Sequence, residues 1–192
     1  MTQWVLASQN AGKLREFNRL LNDLGVQVRS MDEFDIEPAE EVGLSFIENA
    51  LLKARQVARL TGLPALADDS GLAVDALGGA PGIYSARYAG EPTNDQANID
   101  KLLDALQGQD NRQAQFVCAL ALVRSASDPL PLITQGLWRG QILHQRAGEG
   151  GFGYDPIFQP EGLNISAAQM TPQEKAARSH RGLAVDALRQ AL

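Results

Sequence analysis

Short apolar runs alternate along this chain with stretches in which apolar residues recur every three or four positions. Trp4-Val5-Leu6-Ala7 is the first run and ends in Ser8-Gln9-Asn10, after which Leu14, Phe17, Leu20, Leu21 and Leu24 follow at helical spacing until Gly25 stops them. The chain therefore opens as strand, loop, helix. Val26 to Ser30 reads as a second strand, and the acidic, Pro-containing stretch 32–43 as a connecting loop. Ser45 and Glu48 form a capping box ahead of Phe46, Ile47, Ala50, Leu51, Ala54, Val57 and Ala58, which predicts a helix over 45–60. Stretches 63–67 and 72–77 are predicted as two strands flanking Asp68-Asp69, and the Gly/Pro-rich segment 78–90 as an irregular loop.

Further on, 93–106 has helical spacing, while 116–123 and 130–143 read as strands joined through Asp128-Pro129. A second glycine-rich loop covers 148–153, and Thr171-Pro172-Gln173-Glu174 is another capping box with Pro at the first helical position. A last helix starts near Ser179. Strands that first alternate with helices and then pair directly imply an α/β fold with a mixed central sheet covered by helices. No repeat or low-complexity linker interrupts 1–192, so one domain is expected.

Composition narrows the function. With 17 Lys and Arg against 23 Asp and Glu, the formal charge is -6, so no long-range field favours nucleic acid or an anionic membrane. Any phosphate-bearing ligand needs local cations. Cys118, the single cysteine, lies in the apolar run 116–123 and reads as a small core residue, which excludes disulfides within the chain and points to a reducing compartment. The N-terminal residues lack a secretory pattern and no apolar segment reaches membrane-spanning length, so a soluble, cytoplasmic protein is expected.

The stretch Ala67-Asp68-Asp69-Ser70-Gly71 carries the most chemistry. Two carboxylates at the end of a buried strand sit where open α/β sheets bind ligands and could hold a hard cation; the alternative is an Asp-Ser-Gly turn that only caps backbone groups. Ser8-Gln9-Asn10-Ala11-Gly12-Lys13 lies between the first strand and helix, where backbone N–H groups and Lys13 could receive phosphate oxygens, or where Asn10 could merely cap the helix. It is not a Walker loop, because Ala7 and Leu14 replace that motif's first Gly and its Ser or Thr. Lys53 shares a helical stripe with Phe46, Ala50 and Val57 that is otherwise apolar, so either something anionic meets it or it snorkels from the edge. Glu40-Glu41 could join the aspartates around a metal or stay solvated. Phe152, Gly153, Tyr154 and Asp155 place aromatic rings among glycines, open to a planar ligand, while Lys175, His180 and Arg181 add donors.

Taken together these blocks resemble a known family. Ser-x-Asn-x-x-Lys at 8–13, Phe46-Ile47-Glu48-Asn49-Ala50 with Lys53, Ala67 to Leu72, Gly78 to Arg87, Gly151 to Pro156 and Ser179-His180-Arg181-Gly182 are similar, in the same order, to the inosine/xanthosine triphosphate pyrophosphatases, which hydrolyse deaminated purine nucleotides. The resemblance implies a two-lobed domain around a long mixed sheet with the active-site cleft between the lobes, Mg2+ dependence and a homodimer. It implies Asp69 as general base with Lys53 beside it, and Glu41, Asp69 and possible neighbour Glu40 toward the metal. Ser8, Gln9, Asn10, Ala11, Gly12, Lys13 and Lys53 would hold the triphosphate, and Ser70 would contact the substrate. Phe152 would stack on the base in the loop with Gly153 and Tyr154, and Asp155, Lys175, His180 and Arg181 would recognise the nucleoside. This chain departs from the family at Gln9, where the family usually has Gly, a residue that takes positive φ more readily. A Mg2+-dependent phosphatase with an aspartyl nucleophile and a non-catalytic nucleotide-binding module are the alternatives, separated by whether orthophosphate, pyrophosphate or nothing is released.

Overall fold

The computed structural model describes residues 2–192. In chain order the main elements are β1 (Thr2–Leu6), α1 (Ala11–Leu21), β2 (Val26–Ser30), α2 (Phe46–Thr61), β3 (Ala65–Val74), α3 (Asp95–Ala105), β4 (Gln113–Val123), β5 (Leu132–Ile142), β6 (Phe158–Pro160), α4 (Pro172–Arg178) and α5 (His180–Ala191). The sheet order is β2-β1-β3-β4-β5-β6. β1 runs parallel to both β2 and β3, whereas β5 and β6 are antiparallel, so the sheet is mixed.

Two compact units divide the chain: Met1–Asp69 with Cys118–Gly136 and Ala184–Leu192, and Ser70–Val117 with Leu137–Leu183. In the first unit, the period-two alternation of strands sorts side chains onto two faces. Trp4, Leu6, Leu66, Leu120 and Leu122 pack with Phe17 and Leu21 of α1 and Val185 and Leu188 of α5. Val5, Ala7, Ala65, Ala67, Ala119 and Ala121 pack on the other face with Ala50, Ala54, Val57 and Ala58 of α2. Small residues on both sides of that second layer let α2 lie close to the sheet. Cys118 is buried in the first layer. The second unit has its own core, in which Leu72, Ile99, Leu102, Phe116, Trp138, Ile157 and Phe158 meet, and Phe158 packs edge-on to Phe116 at 4.7 Å between ring centres.

The chain differs from its sequence pattern in one informative place. Stretches 63–67 and 72–77 are not two strands around a turn; β3 runs unbroken from Ala65 to Val74 through Asp68, Asp69, Ser70 and Gly71. Ser-Gly marks turns when solvent can take the backbone, but here the segment is buried apart from the half-buried Ser70 and Ala73, and strand pairing satisfies amides that a turn would leave exposed. The turn-capping alternative for Asp68-Asp69 falls with it. Pairing of β3 with β1 covers Ala65 and Leu66, so the aspartates still lie just past the carboxyl end of a parallel strand pair. β6, three residues long, carries too short a pattern to be read from sequence. Among the described residues, no helix is long and apolar enough to cross a membrane.

Candidate active site

The first loop folds as a helix cap. Asn10 Oδ1 accepts from the backbone N–H of Gly12 at 2.8 Å and of Lys13 at 3.1 Å, and Ser8 Oγ accepts from Asn10 N–H at 3.2 Å. These bonds satisfy donors that open every helix. Asp35 is the sole described non-glycine residue with positive φ, so the loop accommodates Gln9 without the left-handed conformation that would favour glycine. Gln9, Asn10, Ala11 and Gly12 are exposed.

Lys13 and Lys53 meet the two aspartates from opposite sides. Consecutive residues of a strand project to opposite faces, so Asp68 falls on the side covered by α1 and Asp69 on the side covered by α2. Lys13 Nζ lies 2.9 Å from Asp68 Oδ2. Lys53 Nζ lies 3.1 Å from Asp69 Oδ1 and 2.7 Å from Glu41 Oε1. The lysine that breaks the apolar stripe of α2 is thus compensated by two carboxylates rather than snorkelling. Burial works against its ammonium, but the fields of Asp69 and Asp68, with the bond to Glu41, hold its pKa above the ordinary lysine value. Burial lifts the Asp69 carboxyl, Lys53 pulls it down and Glu41 pushes it up again, leaving it above the usual aspartate value.

A cavity of about 240 Å3 opens in this unit, lined by Ser8, Gln9, Lys13, Glu41, Lys53 and Asp68 among others. Glu41 and Asp69 share one ammonium, and hard oxygen donors gathered on a single positive charge suit a hard divalent cation. Glu40, next in the chain, is exposed. Among the described residues, no three His, Cys, Asp or Glu side chains are grouped to hold a metal by themselves. Sequence reasoning gave no role to Asn49, which is 1% exposed: its Oδ1 accepts from Gly43 N–H at 2.8 Å and its Nδ2 donates to Asp69 Oδ2 at 3.3 Å. Its signal was a polar residue one turn before Lys53, beside the apolar stripe.

The second unit gathers the aromatic loop and the late cations. Asp155, buried, accepts from Phe152 N–H at 2.8 Å and is ion-paired with Lys175. Lys175 Nζ also stands 4.6 Å from the centre of the Phe152 ring. Gly151 has φ 75°, and a Cβ there would meet Asp155 Oδ2 at 2.1 Å, so this approach requires glycine. Asp95, which sequence reasoning also missed, accepts from Gly153 N–H at 2.8 Å. Phe152 is 63% exposed and available for stacking. Tyr154 faces inward: its hydroxyl donates to Ser85 O at 2.8 Å, and burial raises its pKa, so it anchors the loop as a neutral donor. His180 and Arg181 are buried at the start of α5, with the His180 ring stacked on Phe116 at 4.9 Å. Ser70 follows Asp69 in β3, half-buried.

The fold and site define a mixed α/β protein in which two lysines and three carboxylates gather past the end of a parallel strand pair. Residues 4–191 match the Ham1 family model, and the chain belongs to the Ham1 family. It is 58% identical over 197 residues to the dITP/XTP pyrophosphatase of Yersinia pseudotuberculosis, covering all of both chains. To the dITP/XTP pyrophosphatase of Salmonella typhimurium it is 56% identical over 194 residues, covering 100% of this chain and 98% of that one. The solved structure of a HAM1 protein from Coxiella burnetii is similar with a TM-score of 0.96 at 48% identity, covering 100% and 98% of the two chains.

Proposed function

We propose that this chain hydrolyses deaminated purine nucleoside triphosphates (ITP, dITP and XTP) to the monophosphate and pyrophosphate, clearing them from the nucleotide pool. The observation that carries the reading is the pairing of Lys13 with Asp68 and of Lys53 with Asp69 and Glu41, with Lys13, Asp68, Lys53 and Glu41 lining one cavity, in a chain 58% identical to a dITP/XTP pyrophosphatase. Such ammonium groups are loaded springs for a polyphosphate: an arriving anion competes with the carboxylates for them, and releases carboxylate oxygens as it binds.

Lys13 and Lys53 take phosphate oxygens, with Ser8 and Gln9 bordering the same cavity. Asp69, hydrogen-bonded to Lys53 and Asn49, accepts a proton from the water that attacks the α-phosphorus. Lys53, drawn from Asp69 and Glu41 toward the phosphates, compensates charge as the pyrophosphate departs. Glu41 and Asp69 would hold Mg2+, which commonly takes one or two protein carboxylates and completes its shell with water and phosphate. When bound, it supplies Lewis-acid stabilisation of the charge on the phosphate oxygens. Exposed Glu40 remains an outer neighbour. In the second unit Phe152 offers its ring to the base, Lys175 and Asp155 fix the loop behind it, and the donors of His180 and Arg181 favour a 6-oxo group over the amino group of adenine, against which a buried donor would be left unpaired.

Ser70 contacts the substrate. The resemblance to the pyrophosphatase family also supports a cytoplasmic homodimer, which light scattering measures. The reading itself is tested by product identification: ITP, dITP, XTP, ATP and GTP are incubated with the protein, with and without Mg2+. Stoichiometric pyrophosphate from the first three in Mg2+ alone is expected. Orthophosphate as first product, or equal turnover of ATP, would contradict it.

A further inference from the structure

The reaction scheme leaves Asn49 without a role, yet both ends of its buried side chain are committed. A backbone N–H can only donate, so the Gly43 amide at 2.8 Å fixes the carboxamide oxygen on its side. The NH2 is thereby turned to Asp69 Oδ2 at 3.3 Å. Gly43 lies two residues beyond Glu41, and a Cβ there would come within 2.6 Å of Asn49 Oδ1, 2.7 Å of Glu48 Cβ and 3.1 Å of Asn49 N, so a side chain at 43 would push the segment off the first turn of α2 and off the Asn49 carboxamide. One turn along the helix, Lys53 reaches Glu41 and Asp69; a turn further, Gln56 Nε2 donates to Glu37 O at 2.9 Å. Positions 49, 53 and 56 share one face of α2 and clip the segment that carries Glu41 at three points. Their fates on substrate binding differ. A polyphosphate draws an ammonium off its carboxylates, whereas a neutral carboxamide has no such competitor. Gln56 touches the segment alone. Asn49 joins both the segment and Asp69.

We propose that Asn49 is a positioning residue: its carboxamide keeps the Asp69 carboxylate and the Glu41 segment in register, so that the two carboxylates assigned to the metal stay aligned when Lys53 turns to the substrate. This rests on the functional reading above. The comparison that tests it uses Asn49→Ala and Asn49→Asp beside Asn18→Ala. Asn18 is also a bridging asparagine of the first unit, bonded to Leu14 O at 3.2 Å, Val28 O at 2.9 Å and Val28 N–H at 3.0 Å, and so joins α1 to β2 through backbone groups.

Partners that orient a metal ligand are typically worth 10–100-fold in metal affinity or activity. Asn49→Ala is therefore expected to lower kcat for ITP by about 10–100-fold with KM changed less than about threefold, and to weaken binding of Mn2+ alone, followed by EPR without nucleotide, by about tenfold or more. Asn49→Asp keeps the acceptor for Gly43 but replaces the donor by a charge, and should fall at least as far. Asn18→Ala should lower Tm while kcat and Mn2+ affinity hold. Gly43→Ala repeats the test from the loop side with Asn49 intact and is expected to show the same two losses. If the Asn49 and Gly43 variants keep kcat and Mn2+ affinity, as Asn18→Ala does, the proposal is overturned. A wild type that releases no pyrophosphate, with Mn2+ affinity still lost in Asn49→Ala, would overturn the functional reading and retain the positioning role; pyrophosphate release by the wild type, with kcat and Mn2+ affinity unchanged in Asn49→Ala, would do the reverse.

Discussion

The two clusters that this reading assigns to the substrate are built on different physics. In the first unit, charges are buried and matched: Asp68 is fully covered and Asp69 nearly so, each with a lysine delivered by the helix over its own face of the sheet. In the second unit, the working surface is an exposed ring, Phe152, stiffened from behind by Lys175 and by the buried Asp155. A matched set of buried charges stores interaction that only a polyanion and a cation can reclaim, which suits stabilisation of a transition state. An exposed ring on glycine-shaped backbone offers contact area of one kind to any planar group, which suits affinity. The first cluster should therefore govern kcat and the second KM and base choice.

Asp69→Asn breaks the first side of that contrast most severely: kcat for ITP should fall by about 10²–10⁴-fold, the span of general acid–base catalysis, while isothermal titration still detects nucleotide binding. Next comes Lys53→Ala, with an expected loss of about 10²–10³-fold in kcat. It leaves Asp69 and Glu41 without their shared ammonium, so stability should fall by about 3–5 kcal/mol and Tm with it, short of the total stability of a typical domain; a melt showing collapse would mean that Lys53 holds the fold rather than the substrate. On the other side, Phe152→Ala should raise KM for ITP by about 5–100-fold, the worth of one base–aromatic stack, with kcat changed less than threefold or so. A loss confined to kcat would erase the contrast. The smallest effect lies outside both clusters. Asp128, bonded by the Arg124 side chain and by the Arg124 and Leu130 amides, has its pKa lowered from 3.8 to about 2. A lowered folded-state pKa contributes stability above the unfolded value that is lost as pH falls through the folded one. Asp128→Asn should flatten the decline of stability between pH 3.8 and about 2 in acid titrations followed by circular dichroism, without touching kcat or KM at neutral pH.

How much of this the sequence discloses depends on where each partner sits along the chain. Local signals were readable: the cap at Ser45, the helix it starts, the β2 strand at Val26–Ser30 and the Thr171 box all appear as their residues predict. Lys53 was legible as an anomaly because an ammonium on an apolar stripe demands an anion, though which anion was not. The turn signal at Ser70-Gly71 misled, since burial and strand pairing outweigh local preference. Alternation along β3 would have separated Asp68 from Asp69 onto two faces had the strand been read as continuous. Asn49 and Asp95 escaped because their partners, Asp69 and Gly153, lie 20 and 58 positions away, and a lone Asn or Asp near a helix start reads first as a cap or a solvated residue.

The most direct test of the account is a crystal structure of Asp69→Asn with ITP and Mg2+. The account predicts the triphosphate in the cavity of the first unit, with phosphate oxygens within hydrogen-bond reach of Lys13 and Lys53 and the metal on Glu41. A triphosphate bound elsewhere, with Lys13 still on Asp68 and Lys53 still on Glu41, would contradict it.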